Sequence, residues 1–97
     1  MKRLFKKLIR WTYREWVFHN ISNQAQFEKL NEEIAELRKQ PDDVTEYADV
    51  LMCIFILADR NDINYRKLKR AFKKKLQINI NRKWIKDSNG INQHINQ

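Results

Sequence analysis

The sequence predicts an all-α protein, and three observations carry that prediction. One Gly and one Pro among 97 residues leave few places for turns. Hydrophobic residues at 42% and charged residues at 33% are the balance of a folded, helix-rich chain rather than a disordered one. Apolar residues also recur at helical spacing in four separate stretches. A chain of this length is expected to form a single domain, residues 1–97, that buries a modest share of its surface, so a homo-oligomer, a dimer or a tetramer, is expected.

Leu4, Phe5, Leu8, Ile9 and Trp11 predict a basic amphipathic helix over roughly residues 3–16, within an N-terminal segment 1–17. Residues 18–23 then offer capping side chains, and Phe27, Leu30, Ile34 and Leu37 mark the stripe of a second helix that stops near Pro41. Asp43 with Glu46 three residues on has capping-box spacing and starts a third helix around Val44. Its run from Val50 to Ala58 is apolar on every side, which places it centrally in a core or a subunit interface. Residues 61–64 break it, and Tyr65, Leu68, Phe72 and Leu76 give a fourth helix reaching about Trp84. The core thus covers residues 18–86, and the Asn/Gln-rich tail 87–97 is expected to fray.

Several classes are excluded by composition. The single Cys53 makes no intramolecular disulfide, no signal-peptide pattern opens the chain, and the nine-residue apolar run is about half of what a bilayer needs. No membrane span is expected, and the compartment reads as cytoplasm. The net charge of +8 conceals a segregation of signs. Residues 1–14 carry six bases and no acid, residues 28–62 hold ten acids and four bases, and residues 66–86 hold ten bases and no acid. Carboxylates flanked by cations suit a metal-bound polyphosphate, which needs one sign for the cation and the other for the anion.

Glu33 and Glu36, and then Glu46 and Asp49, each stand at i, i+3, which puts both members of a pair on one helix face. Residues 40–43 are a short connection, so the flanking helices are expected to be antiparallel neighbours. At about 1.5 Å of rise per residue, Glu36 lies about 6 Å from that turn and Glu46 about 4.5 Å, with Glu33 at about 10 Å and Asp49 at about 9 Å. The two pairs are level. Four convergent carboxylates are tolerable near neutral pH only when some are protonated or a cation sits among them. Oxygen-only donors without a nearby His or Cys favour Mg²⁺ or Mn²⁺ over zinc. Solvated acids paired with Lys29, Arg38 and Lys39 are the plain alternative. On the fourth helix, Lys75, Asn79 and Arg82 fall within about 60° on a helical wheel, and are expected level with Asp49 and Glu46. Lys69, Arg70, Lys73 and Lys74 read as solvent-facing with no specific role.

These residues support a resemblance. Lys29-Leu30-x-Glu32-Glu33-x-x-Glu36-Leu37, Glu46-Tyr47-Ala48-Asp49-Val50-Leu51 and Lys75-x-x-x-Asn79-x-x-Arg82-x-Trp84 are similar to the MazG-like all-α nucleoside triphosphate pyrophosphohydrolases. The short phage and bacterial branch of dATP/dGTP diphosphohydrolases is the most similar. The likeness runs from about Trp16 to Trp84 and departs in its very basic first fourteen residues. It implies a four-helix, Mg²⁺-dependent, oligomeric enzyme that converts a (d)NTP to (d)NMP and pyrophosphate, with purine deoxynucleotides as substrates. By position it implies metal binding by Glu33, Glu36, Glu46 and Asp49, and phosphate binding by Lys75, Asn79 and Arg82. Glu36 is the choice to orient or deprotonate the attacking water. Trp16, Phe18, His19 and Asn20 offer a ring to stack on and polar groups to read a base edge, although Trp16 and Phe18 equally suit a packed helix entry.

Two readings of other classes compete. The basic terminal segments suit a non-catalytic nucleic-acid-binding module with strongly salt-dependent affinity. The first helix suits an attachment to a protein or a membrane surface. Neither explains four level carboxylates.

Overall fold

Side-chain caps fix where the two central helices begin. In the computed structural model, which describes residues 1–15 and 21–95, Ser22 Oγ accepts a hydrogen bond from the Ala25 amide at 3.0 Å and opens helix α2, Asn23–Lys39. Asp43 Oδ1 accepts from both the Thr45 amide (2.9 Å) and the Thr45 hydroxyl (2.6 Å) and opens helix α3, Val44–Arg60. A cap of this kind satisfies amides that have no partner within the helix and contributes about 1 kcal/mol. Between them the chain turns over residues 40–43, closed by Asp43 N–H to Gln40 C=O at 3.0 Å and by the Tyr47 hydroxyl donating to Pro41 C=O at 3.0 Å. At the far end Asn23 and Asn61 exchange amide hydrogen bonds at 3.0 and 3.3 Å. A turn at one end and a tie at the other make α2 and α3 antiparallel neighbours, as the short connection predicts.

Helix α1, Lys2–Arg14, joins this pair through one aromatic residue. Phe5 is only 4% exposed and meets Phe55 edge-on, with ring centroids 5.0 Å apart, and Tyr65 at 5.7 Å. Near its other end the Tyr13 hydroxyl donates to Asp59 Oδ2 at 3.1 Å. Cys53, Phe55, Ile56 and Leu57 of α3 complete the apolar core with Phe5, so the greasiest segment of the sequence is the central helix of this unit. Asn61 caps α3 with its side-chain amide on Leu57 C=O at 2.8 Å, and Asp62 turns the chain at a φ of +62°, a region Asp tolerates better than most residues.

The chain divides into two compact units, Met1–Tyr65 and Arg66–Gln97. In the second, helix α4 (Tyr65–Asn81) has no buried residue, and Phe72, Leu76 and Ile80 are 70%, 50% and 64% exposed. Strands β1 (Trp84–Lys86) and β2 (Asn92–His94) follow as an antiparallel hairpin with Ile85 opposite Gln93.

The hairpin replaces the expected helix to Trp84 and frayed tail. Asp87 Oδ1 accepts from the Asn89 and Ile91 amides, both at 2.9 Å, its Oδ2 accepts from Gln93 Nε2 at 3.2 Å, and Gly90 supplies a φ of +76° that other residues avoid. The Trp84 indole N–H donates to Asn79 C=O at 2.8 Å, so a carbonyl that would continue the helix is taken by a side chain. Ile95 N–H to Lys83 C=O at 2.8 Å closes the hairpin base. Among the described residues no helix is long and apolar enough to cross a membrane.

Candidate metal centre

The antiparallel α2/α3 hairpin brings three of the four predicted carboxylates together. One carboxylate oxygen from each of Glu33, Glu46 and Asp49 lies within 4.8 Å of the others. Glu33 comes from the third turn of α2, while Glu46 and Asp49 occupy the first two turns of α3 and follow directly from the Asp43 cap. Glu33 and Glu46 are half-buried and Asp49 is exposed, so the cluster opens to solvent on one side.

Ionised carboxylates at this spacing repel one another, the more so where less water screens them. The strain registers on Glu46, whose carboxyl is pushed above the usual range, first by loss of hydration and then by the charges of Asp43, Asp49, Glu36 and Glu33. Lys29 gives partial relief. Its ammonium stands 3.1 Å from Glu33 and 3.6 Å from Glu32, and its own pKa is raised, chiefly by the hydrogen bond with Glu33. One lysine cannot neutralise three carboxylates. A donor set of three oxygens, with one group already held toward protonation, fits a hard divalent cation.

Glu36 lies outside this trio. Its side chain is 53% exposed and leans toward the Lys39 ammonium at 3.9 Å, although its charge still reaches Glu46. Counting rise along a helix places Glu36 level with Glu46, but it does not fix the rotamer, and here an i, i+3 lysine at the helix end draws the carboxylate aside. Cys53 was not assigned to the site from sequence. It is buried one turn beyond Asp49, and its thiol is pushed up, first by burial and then by the Glu33 charge, with Lys29 opposing. The i+4 spacing from Asp49 was the available signal.

Lys75 and Asn79 lie on α4, while Arg82 falls one residue past its end, so the expected helical face holds only for the first two. Lys75 is exposed, and Asn79 and Arg82 are half-buried. The Asn79 carbonyl receives both the Arg82 amide (3.3 Å) and the Trp84 indole (2.8 Å), which pins the end of the helix and assigns Trp84 a packing contact. Trp16, Phe18, His19 and Asn20, proposed as base contacts, lie outside the described residues.

Comparison with known proteins meets this geometry from a separate direction. The sequence matches the dATP/dGTP pyrophosphohydrolase family over residues 4–97, which includes α1 and the hairpin. A search of the curated proteins gives no match. Among solved structures, the chain is similar to the MazG-like pyrophosphohydrolase of cyanophage S-2L, bound to dGDP and three catalytic Mn²⁺ ions per active site. Identity is 30%, the match covers 97% of this chain and 95% of that one, and the TM-score is 0.79. A likeness of that extent carries the four-helix fold, and the acidic cluster of α2 and α3 is the donor set a metal-dependent hydrolase needs. The chain therefore belongs to the dATP/dGTP pyrophosphohydrolase family and is a MazG-like nucleotide pyrophosphatase.

Proposed function

We propose that this protein hydrolyses purine deoxynucleoside triphosphates, dGTP or dATP, to the monophosphate and pyrophosphate in a Mg²⁺-dependent reaction, with Mn²⁺ able to substitute. The grouping of one oxygen each from Glu33, Glu46 and Asp49 within 4.8 Å of one another carries this reading, and the dGDP and Mn²⁺ bound by the cyanophage relative support it. Glu33, Glu46 and Asp49 would hold the cation, with Glu36 joining them by a side-chain rotation away from Lys39. A bound divalent ion supplies charge neutralisation for the triphosphate and a lowered pKa for water.

The remaining work falls to side chains. Glu36, the more exposed carboxylate beside the trio, orients the attacking water and accepts its proton. Attack at the α-phosphorus breaks the bond to the bridging oxygen between the α- and β-phosphates, and the leaving pyrophosphate takes the electron pair. Lys75 and Arg82 stabilise that developing charge, and Asn79 donates a neutral hydrogen bond that fixes the phosphate chain. Trp16, Phe18, His19 and Asn20 are proposed to face the base, and the active form is proposed to be a homo-oligomer working in the cytoplasm.

The test is turnover of each dNTP and NTP with Mg²⁺, with Mn²⁺ and with EDTA, resolving mono- from diphosphate products, repeated with Glu36→Gln and Glu46→Gln. Monophosphate plus pyrophosphate is expected from dGTP or dATP, abolished by EDTA. Both variants are expected to lower kcat/KM at least about 100-fold, equivalent to about 2.7 kcal/mol of transition-state stabilisation. A pyrimidine as the best substrate would overturn the purine assignment, and no turnover of any nucleotide would overturn the activity.

A further inference from the structure

Helix α4 carries a second basic face that the proposed reaction does not use. Arg66, Lys69, Arg70 and Lys73 stand at i, i+3, i+4 and i+7, so all four fall within about 100° of arc on the helix surface. The centre of that arc lies about 150° from the centre of the face bearing Lys75 and Asn79. A side chain on one face therefore cannot serve a ligand on the other. The four cations line one open concavity of about 250 Å³ with no other residue in its wall.

All four residues are exposed, and among the described residues none of them is in an ion pair. No acid occurs between Arg66 and Lys86. The first one after the helix, Asp87, spends its oxygens on the Asn89 and Ile91 amides and on Gln93. Four like charges on two turns of helix repel one another, and the partner that relieves this is an extended polyanion rather than a single carboxylate.

We propose that this stripe binds the phosphodiester backbone of nucleic acid, so that the enzyme is held at a polynucleotide by a face of α4 other than the one bearing Lys75 and Asn79. The stripe runs from residue 66 to residue 73, about 10 Å along the helix axis, which matches about three successive phosphates of one strand spaced about 3.4 Å along the duplex axis. A lipid surface shares the negative charge but demands apolar insertion as well. Between residues 66 and 73 the apolar side chains Leu68, Ala71 and Phe72 all lie more than about 100° from the centre of the stripe. The stripe therefore meets phosphate without an apolar anchor beside it, and it contacts no base edge, so binding is independent of sequence.

The test is fluorescence anisotropy of the full-length protein with a labelled duplex of about 20 base pairs, in EDTA, between about 50 and 200 mM NaCl. Three or four phosphate contacts give a slope of log K against log [salt] near −3, a loss of affinity of about a hundredfold over that range. Combining Arg66→Gln, Lys69→Gln, Arg70→Gln and Lys73→Gln is expected to shrink the slope by about 3 while dGTP turnover is unchanged. Lys2→Gln with Lys6→Gln, which neutralises α1 instead, is expected to leave most of the slope in place. The proposal is overturned if the quadruple variant binds with the wild-type slope, if only the α1 variant loses binding, or if vesicles of anionic lipid bind more tightly than the duplex.

Discussion

Lys29 shows how one side chain sets the balance of the candidate metal centre. Its ammonium occupies an oxygen of Glu33 at 3.1 Å, so a divalent ion drawing on that oxygen competes with a cation already there. Lys29 is 56% exposed, and an exposed pair of this kind is worth at most about 1 kcal/mol. Lys29→Gln is therefore expected to tighten Mn²⁺ binding about two- to fivefold by calorimetry, and to lower the metal-free protein's stability toward urea by up to about 1 kcal/mol. Weaker Mn²⁺ binding in the variant would mean instead that Lys29 positions Glu33 for the cation. The same residue explains why the sequence could be read two ways. Acids spaced i, i+3 and i, i+4 from lysines are as consistent with salt bridges as with ligands, and Glu33 takes part in one while converging on Glu46 and Asp49.

Helix starts were legible because a cap is a local event. Ser22 and Asp43 bond to amides two and three residues away, so the spacing on the page is the spacing in space. Asp43→Ala is expected to cost about 1 kcal/mol in urea denaturation, with Asp43→Asn retaining most of it, because both the Thr45 amide and hydroxyl lose their acceptor. Glu46 and Asp49 begin the same helix, so the variant should also weaken Mn²⁺ binding. Residues 87–97 were not legible, because Asn/Gln richness describes a disordered tail and a polar hairpin equally well. The decisive features were the single Gly90 and an aspartate three residues before it. The Asp87 carboxyl is held below its usual range, first by the Ile91 amide and then by the Asn89 amide and Gln93, which together outweigh the opposing loss of hydration. A depressed folded pKa means that the stabilisation is present above the ordinary carboxylate pKa and is lost as pH falls through the folded value. The hairpin is thus expected to melt on acidification below about pH 4, read from the Ile91 and Gln93 amide shifts, with α2 and α3 intact. Asp87→Ala should melt it at neutral pH.

At the scale of the molecule, the unsolved quantity is where the apolar surface goes. Phe72, Leu76 and Ile80 recur every four residues along α4 and are more than half, or half, exposed, and a groove of about 350 Å³ between α1 and α3 leaves Leu4, Leu51 and Met52 open as well. Aromatic and aliphatic side chains each gain about 1.5–3 kcal/mol on full burial, and a contiguous stripe left in water is rare for a monomer. The apolar run of α3 is split, with Cys53, Phe55, Ile56 and Leu57 inside and Leu51, Met52 and Ile54 facing out. Assembly of identical chains is the economical way to cover such faces, since about 800 Å² per partner suffices for a stable contact. Sedimentation velocity is expected to give a species of at least twice the 11.9 kDa chain. Phe72→Glu with Leu76→Glu should return it toward the monomer, because a charge buried at an interface without a partner costs far more than the same charge in water. A wild-type chain that sediments as a monomer at micromolar concentration would leave the stripe exposed in solution and remove the basis for a shared assembly.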